Sequence, residues 1–139
     1  VGVFVVEVTD QPINSTKIKE QVWAPDCGAL VEFHGLVRNH DSGRDVLRLD
    51  YEGHETALAV VQKICEEIAH KYPKVRFGTS HRIGQLAIGD LAFYVVTASA
   101  HRGAAFEVNQ LLVEQVKERI PVWKNQIFID GSNEWVNSA

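Results

Sequence analysis

"LAFYVVTASAHRGAAFEVNQLLVEQVKERIPVWKNQIFID", residues 91–130, decides the fold of this chain. Residues 91–100 are almost continuously apolar, and such a run reads as a strand buried on both faces. The stretch from about 103 to 119 predicts a helix. Pro121 ends it, because a residue that precedes proline is pushed out of the helical region. Beyond the proline, Trp123, Ile127 and Ile129 take one side of a further strand, while Val122, Lys124, Gln126 and Phe128 take the other. This strand–helix–strand unit also gathers His101, Arg102, Lys117, Arg119 and Lys124, although the chain as a whole carries a net charge of −4.

Outward from this unit the elements follow one another with short connections. Val3 to Val8 is β-rich and predicts a first strand. Asn14 or Ser15 then caps a short helix in "INSTKIKEQVW". In "GALVEFHGLV", Leu30, Glu32, His34 and Leu36 share one side and Val31, Phe33, Gly35 and Val37 the other, so this segment is a strand. "RNHDSGRD", residues 38–45, is polar and predicts a loop or hairpin tip, with "VLRLDYEG" as the returning strand. "HETALAVVQKICEEIAHKY" predicts an amphipathic helix of about five turns, with Ala57, Leu58, Val60, Val61, Ile64, Cys65 and Ile68 on its apolar side. A strand and a glycine-punctuated turn lie in residues 74–90, and Glu134-Trp135-Val136 is expected to pair back after a turn at 130–133. The order β-α-β-β-α-β-β-α-β-β implies an α+β fold, with helices packed on a mainly antiparallel sheet.

At 139 residues the chain is expected to form one domain, 1–139, large enough for its own core. No apolar run reaches the roughly 18 residues of a membrane span, and no secretory pattern opens the sequence. The acidic balance argues against nucleic acid as a partner, since such binders present a basic surface. Cys27 and Cys65 fit no metal or disulfide spacing and read as reduced, small apolar residues. A cytoplasmic location is therefore expected. The histidines offer no metal pattern: His34 and His40 are six apart, and His54-Glu55 lacks the rest of a zinc helix motif. Neither a metal nor a cofactor is expected.

The cations carry the chemistry. At Ala100-His101-Arg102-Gly103 a buried strand hands over to a helix, whose first turn presents free N–H groups suited to phosphate or carboxylate. The plainer alternative is a turn cap beside an ion pair. Lys117 lies about 20° round the helix from Phe106, at the edge of the apolar arc, where a lysine can present its amine to a cleft. Alternatively, it simply suits the negative end of the helix dipole. Lys124 shares its strand face with apolar neighbours, which a solvated face would rarely show. Two lysines bracketing one helix-to-strand turn can approach each other and lower each other's pKa, making one amine a better base or nucleophile. Arg38, with Asn39 and His40, sits at a strand end where chemistry often lies; a solvated loop is the alternative.

Taken in series, "FHGLVRNH" at 33–40, "HRIG" at 81–84, "SAHR" at 99–102, "KERIPVWK" at 117–124 and "DGSNEWV" at 130–136 resemble the large, catalytic subunit of molybdopterin synthase. The resemblance runs from about residue 27 to 136. It implies an α/β-hammerhead-type fold with an additional antiparallel β subdomain. It also implies a homodimer within a heterotetramer, with a small ubiquitin-like sulfur-carrier subunit docked at each end. The implied activity is that of a sulfurtransferase in molybdenum cofactor biosynthesis. Sulfur passes from the carrier's thiocarboxylated C-terminus to cyclic pyranopterin monophosphate, forming the molybdopterin dithiolene. Both reactants are anions, which accounts for local cations on an acidic protein. By motif, Lys117 and Lys124 are the expected catalytic lysines. Leu36, Val37, Arg38, Asn125 and Gln126 join them in binding substrate, together with His101 and Arg102 contributed by the other subunit of the dimer. Residues 51–59 depart from the family pattern, and His54 stands where members carry a tyrosine. A non-catalytic subunit that merely holds a carrier tail would need Lys124 but not Lys117. A phosphate-ester hydrolase based on His101 lacks a metal set or a positioned nucleophile.

Overall fold

The structure is a computed structural model that describes residues 3–136. Two sheets share one apolar core. The first has the order β1-β5-β7-β2: β1 is Phe4–Thr9, β5 is Arg76–Arg82, β7 is Leu91–Ser99 and β2 is Ala29–Leu36. β1 runs parallel to β5, and the other pairs are antiparallel. β7 is buried along almost its whole length. Phe93 and Val95 face the larger core, beneath the helices α2 (Ala57–Lys71) and α3 (Arg102–Arg119). Tyr94, Val96 and Ala98 face a smaller cluster under α1 (Ser15–Val22). This explains the unbroken apolar run in the sequence: helices cover both faces of the sheet. Asn14 caps α1, its side chain accepting from the N–H of Lys17.

The second sheet forms around β4 (Arg44–Gly53), which β8 (Val122–Phe128) borders on one edge. β3 (His40–Asp41) and β6 (Gly84–Ala87) divide the other edge, and β9 (Asn133–Val136) extends the sheet beyond β8. Residues 38–45 do form a hairpin tip, with Ser42 and Gly43 both at positive φ. Its partner strands are β3 and β4, however, and β4 does not return onto β2. At the Gly35/Leu36 register shift the chain leaves the first sheet. Val37 then pins the crossing: its N–H donates to the carbonyl of Asp90, and its own carbonyl accepts from Gly89. The mixed first sheet and the antiparallel second sheet match the expected α+β fold with an additional antiparallel β subdomain, while the pairing of individual strands, including the parallel β1–β5 pair, comes from the structure. Local alternation shows which side of a strand is apolar, but not which strand lies next to it.

Leu49, Tyr51 and Leu86 of the second sheet belong to the same buried cluster as Phe77, Val95 and Leu112. Leu58, expected in the core, is exposed. α1 docks closely enough that a Cβ at Gly78 would lie 2.8 Å from Cγ2 of Ile18 and 3.0 Å from Cγ2 of Val22. Gly78→Ala is accordingly expected to cost about 1–3 kcal/mol through overpacking, read as a lowered midpoint in urea unfolding with an unchanged slope.

Candidate active site

A cleft of about 240 Å³ opens where the two sheets and the C-terminal end of α3 meet. One wall comes from a row across the first sheet, Gly35 of β2, Phe93 of β7 and His81 of β5, which are direct register partners. The other wall is the inner face of the second sheet, where Leu49 lies opposite Gln126 and Tyr51 opposite Lys124. Direct partners in an antiparallel pair project to the same side. α3 contributes Lys117, while Leu36, Arg38, His40 and Asp41 rim the opening.

Lys117 and Lys124 therefore line one cleft from two different elements. Burial chiefly, and the charge of Lys124 second, hold the Lys117 ammonium below the usual lysine range. Arg38 is mostly exposed, and its guanidinium meets Asp41 at 3.3 Å. Gln126, buried on the inner face of β8, donates to the other oxygen of Asp41 at 3.0 Å. Asp41 thus ties the rim arginine to the cleft wall. Burial raises the Tyr51 hydroxyl to about 12, keeping it neutral. The ring of His81 packs edge-on against Tyr51, and burial lowers its pKa to about 4.

Other expected site residues lie elsewhere in this chain. The Val37 side chain is in the core rather than on the cleft. Asn125 points to the opposite face of β8, where its side-chain oxygen accepts from Asn133. His101 and Arg102 line a separate depression with Gly28, Ala29 and Gly103. They sit at the opposite end of α3 from Lys117, about 22 Å away along the helix. His101 is the N-cap residue but makes no side-chain cap hydrogen bond. Arg119 serves the fold, bonding Glu67 of α2 at 2.8 Å. Phe106, used to place Lys117 at the apolar edge, is itself 60% exposed; the buried arc runs through Ala105, Val108, Leu112 and Val116.

Tyr51, His81, Phe93 and Asp41 were not singled out from the sequence. The histidine stood in the quoted "HRIG" segment, and only its position opposite Phe93 gives it a place at the cleft. Among the described residues no group of three or more His, Cys, Asp and Glu is arranged to hold a metal ion, and no helix is long and apolar enough to cross a membrane. The Cys65 thiol is buried and pushed up to about 12, which makes it unreactive.

The model of the MoaE protein family matches residues 8–119 of the chain. The molybdopterin synthase catalytic subunit of Bacillus subtilis is 37% identical over 131 residues, 94% of this chain and 83% of that protein. The crystal structure of molybdopterin synthase from Staphylococcus aureus superposes with a TM-score of 0.88 at 33% identity, covering 94% of this chain and 95% of its own. A Helicobacter pylori complex of subunits 1 and 2 of molybdopterin-converting factor shares the fold at 22% identity, with a TM-score of 0.75 and coverage of 94% and 89%.

Two outcomes follow from these electrostatics. Removing the like charge with Lys124→Met is expected to raise the Lys117 midpoint, measured by NMR titration of its labelled ε-carbon. For His81 the folded value of about 4 lies below the ordinary 6.5, so below pH 6.5 the unfolded chain takes up a proton that the folded chain refuses. The stability present above pH 6.5 is therefore lost as pH falls toward 4, by about 2 kcal/mol between 6.5 and 5. Urea unfolding at pH 7 and pH 5 should show this loss in the parent chain and not in His81→Gln.

Proposed function

The chain belongs to the MoaE protein family and acts as a molybdopterin synthase catalytic subunit, a sulfurtransferase of molybdenum cofactor biosynthesis; from that premise we propose that the Lys117–Lys124 cleft is where sulfur is transferred. The observation that carries this reading is the meeting of two lysines from separate elements in one half-buried cleft, with Arg38 at its rim. A thiocarboxylate and a cyclic phosphate repel each other in water, and fixed cations in a partly dry cleft offset that repulsion. Lys117, its pKa lowered, supplies neutral amine more readily than an ordinary lysine. It acts as general acid and base during sulfur attack and opening of the phosphate ring, or takes the carrier's acyl group transiently. Lys124 steers the carrier's terminal carboxylate. Arg38 holds substrate phosphate, with Leu36 and Gln126 shaping the cleft beside it.

The proposed sulfur donor is the thiocarboxylated C-terminus of a small ubiquitin-like carrier subunit, and the acceptor is cyclic pyranopterin monophosphate. The two-subunit complex described for Helicobacter pylori supports a carrier partner by analogy. We assign His101 and Arg102 to the cleft of a second copy of the chain, in a homodimer within a heterotetramer. The distance from these residues to Lys117 along α3 supports this, because one chain cannot bring both ends of the helix to one small substrate. The exposed Phe106 near that helix end, and β2 as the last strand of its sheet among the described residues, offer apolar and hydrogen-bonding surface for such a contact. The whole 1–139 chain is read as one domain working in the cytoplasm, with no metal or cofactor of its own.

The deciding assay mixes the protein with thiocarboxylated carrier and cyclic pyranopterin monophosphate and measures dithiolene product. Lys117→Ala is expected to lower turnover by about 10²-fold or more while carrier binding is retained. Parent-level turnover in that variant would remove Lys117 from the reaction, and no product from the parent protein would leave a carrier-holding subunit.

A further inference from the structure

His81 has no part in the chemistry above, yet it occupies a costly position. The ring is 2% exposed. Tyr51 meets it edge-on, with centroids 5.3 Å apart and planes at 89°, and Phe93 lies against it at 5.4 Å and 35°. These two rings fix its plane. Nδ1 lies 2.7 Å from the carbonyl oxygen of Arg82. A carbonyl only accepts, so Nδ1 carries the proton and donates it. The neutral imidazole then has a bare lone pair on Nε2. That atom is buried and has no hydrogen-bond partner among the described residues. A buried acceptor without a donor loses its hydration and gains nothing in return.

The cleft supplies a donor. Lys117 and His81 line it together; burial is the main cause that opposes protonation of the imidazole, and the charge of Lys117 adds to it as a smaller one. We propose that Nε2 of His81 is the inner seat of the Lys117 side chain: the ammonium swings inward and donates a hydrogen bond to it. His81 is thus a positioning residue that acts through Lys117 and does not itself touch substrate. The inference rests on the reading of Lys117 as the working amine. It adds a defined resting position for that amine, on the wall of the cleft opposite Lys124.

The seat also sets the proton affinity of the amine. Lys124 from β8, neutral Tyr51 from β4, and Arg38, His40 and Asp41 from the rim line the same cleft. Asp41 is the carboxylate of this set, and Arg38 and Gln126 already engage it. Burial and Lys124 both favour the neutral amine. A hydrogen bond from the ammonium to Nε2 favours the charged form and opposes them. The seated amine therefore stays protonated to higher pH than it would beside an apolar wall.

NMR titration of the labelled ε-carbon of Lys117, in the full chain without substrate, tests the seat directly. His81→Phe keeps a ring but removes the acceptor, and it should lower the Lys117 midpoint by about one pH unit. His81→Gln, whose amide oxygen can accept, should restore most of that shift. The inflection of the kcat/KM profile that belongs to Lys117 should move the same way, toward acid. An unchanged Lys117 midpoint in His81→Phe overturns the proposal. Should that variant fail to fold, the ¹⁵N resonance of His81 Nε2 in the otherwise unaltered protein serves instead. It should move downfield in Lys117→Met, where the donor is gone, and a stationary resonance overturns the seat. These readouts concern the resting protein, so they separate failure of the seat from failure of Lys117 in turnover, which the Lys117→Ala assay decides.

Discussion

Two ammonium groups held in one partly dry cleft are the constraint on which this structure turns. Like charges brought together out of water oppose folding, and the charge of Lys124 adds to burial in disfavouring the protonated state of Lys117. The fold tolerates the arrangement because apolar packing fixes the elements that carry both lysines. Lys117 is carried on α3, whose buried arc through Val108, Leu112 and Val116 is fastened in the main core. Lys124 is carried on β8, between Val122 and Gln126 on an inner face registered against β4. Apolar burial elsewhere positions both stems, and the electrostatic cost is left to act on the amines.

The surroundings of the cleft follow from the same constraint. An anion among the lysines would neutralise them permanently, and the carboxylate that lines the cleft, Asp41, is engaged by Arg38 and Gln126. Tyr51 and His81 are kept neutral by burial, so they add dipoles without adding charge. The cleft thus stays cationic toward an incoming anion, while its inner wall remains neutral. This is a local field on a chain whose net charge is −4, and it suits an acidic protein to the anionic reactants proposed for it.

The α3 helix links this cleft to a second surface. Its C-terminal turn carries Lys117, and its N-terminal turn carries Arg102 beside His101, about 22 Å away. A rigid helix cannot fold both ends onto one small molecule. The homodimer proposed above makes the separation useful only if its symmetry brings one chain's helix start to its neighbour's helix end.

Several features were already legible in the residues. The alternation of β2 and of β8 sorted their side chains onto two sides as the structure has them, including the placing of Lys124 with Val122, Gln126 and Phe128. The unbroken apolar run of β7 marked a strand covered on both sides, and the helix-ending proline fell where α3 stops. These properties are local: side-chain period and backbone restriction act within a few residues. Tertiary structure alone decided that β4 pairs with β8 and β6 instead of returning to β2, and that β1 joins β5 in parallel. It alone turned Val37 and Asn125 away from the cleft and brought His81, Tyr51 and Asp41 into it. Those outcomes depend on which strands become neighbours and in what register, and a residue's own sequence context carries no record of its partner across a sheet.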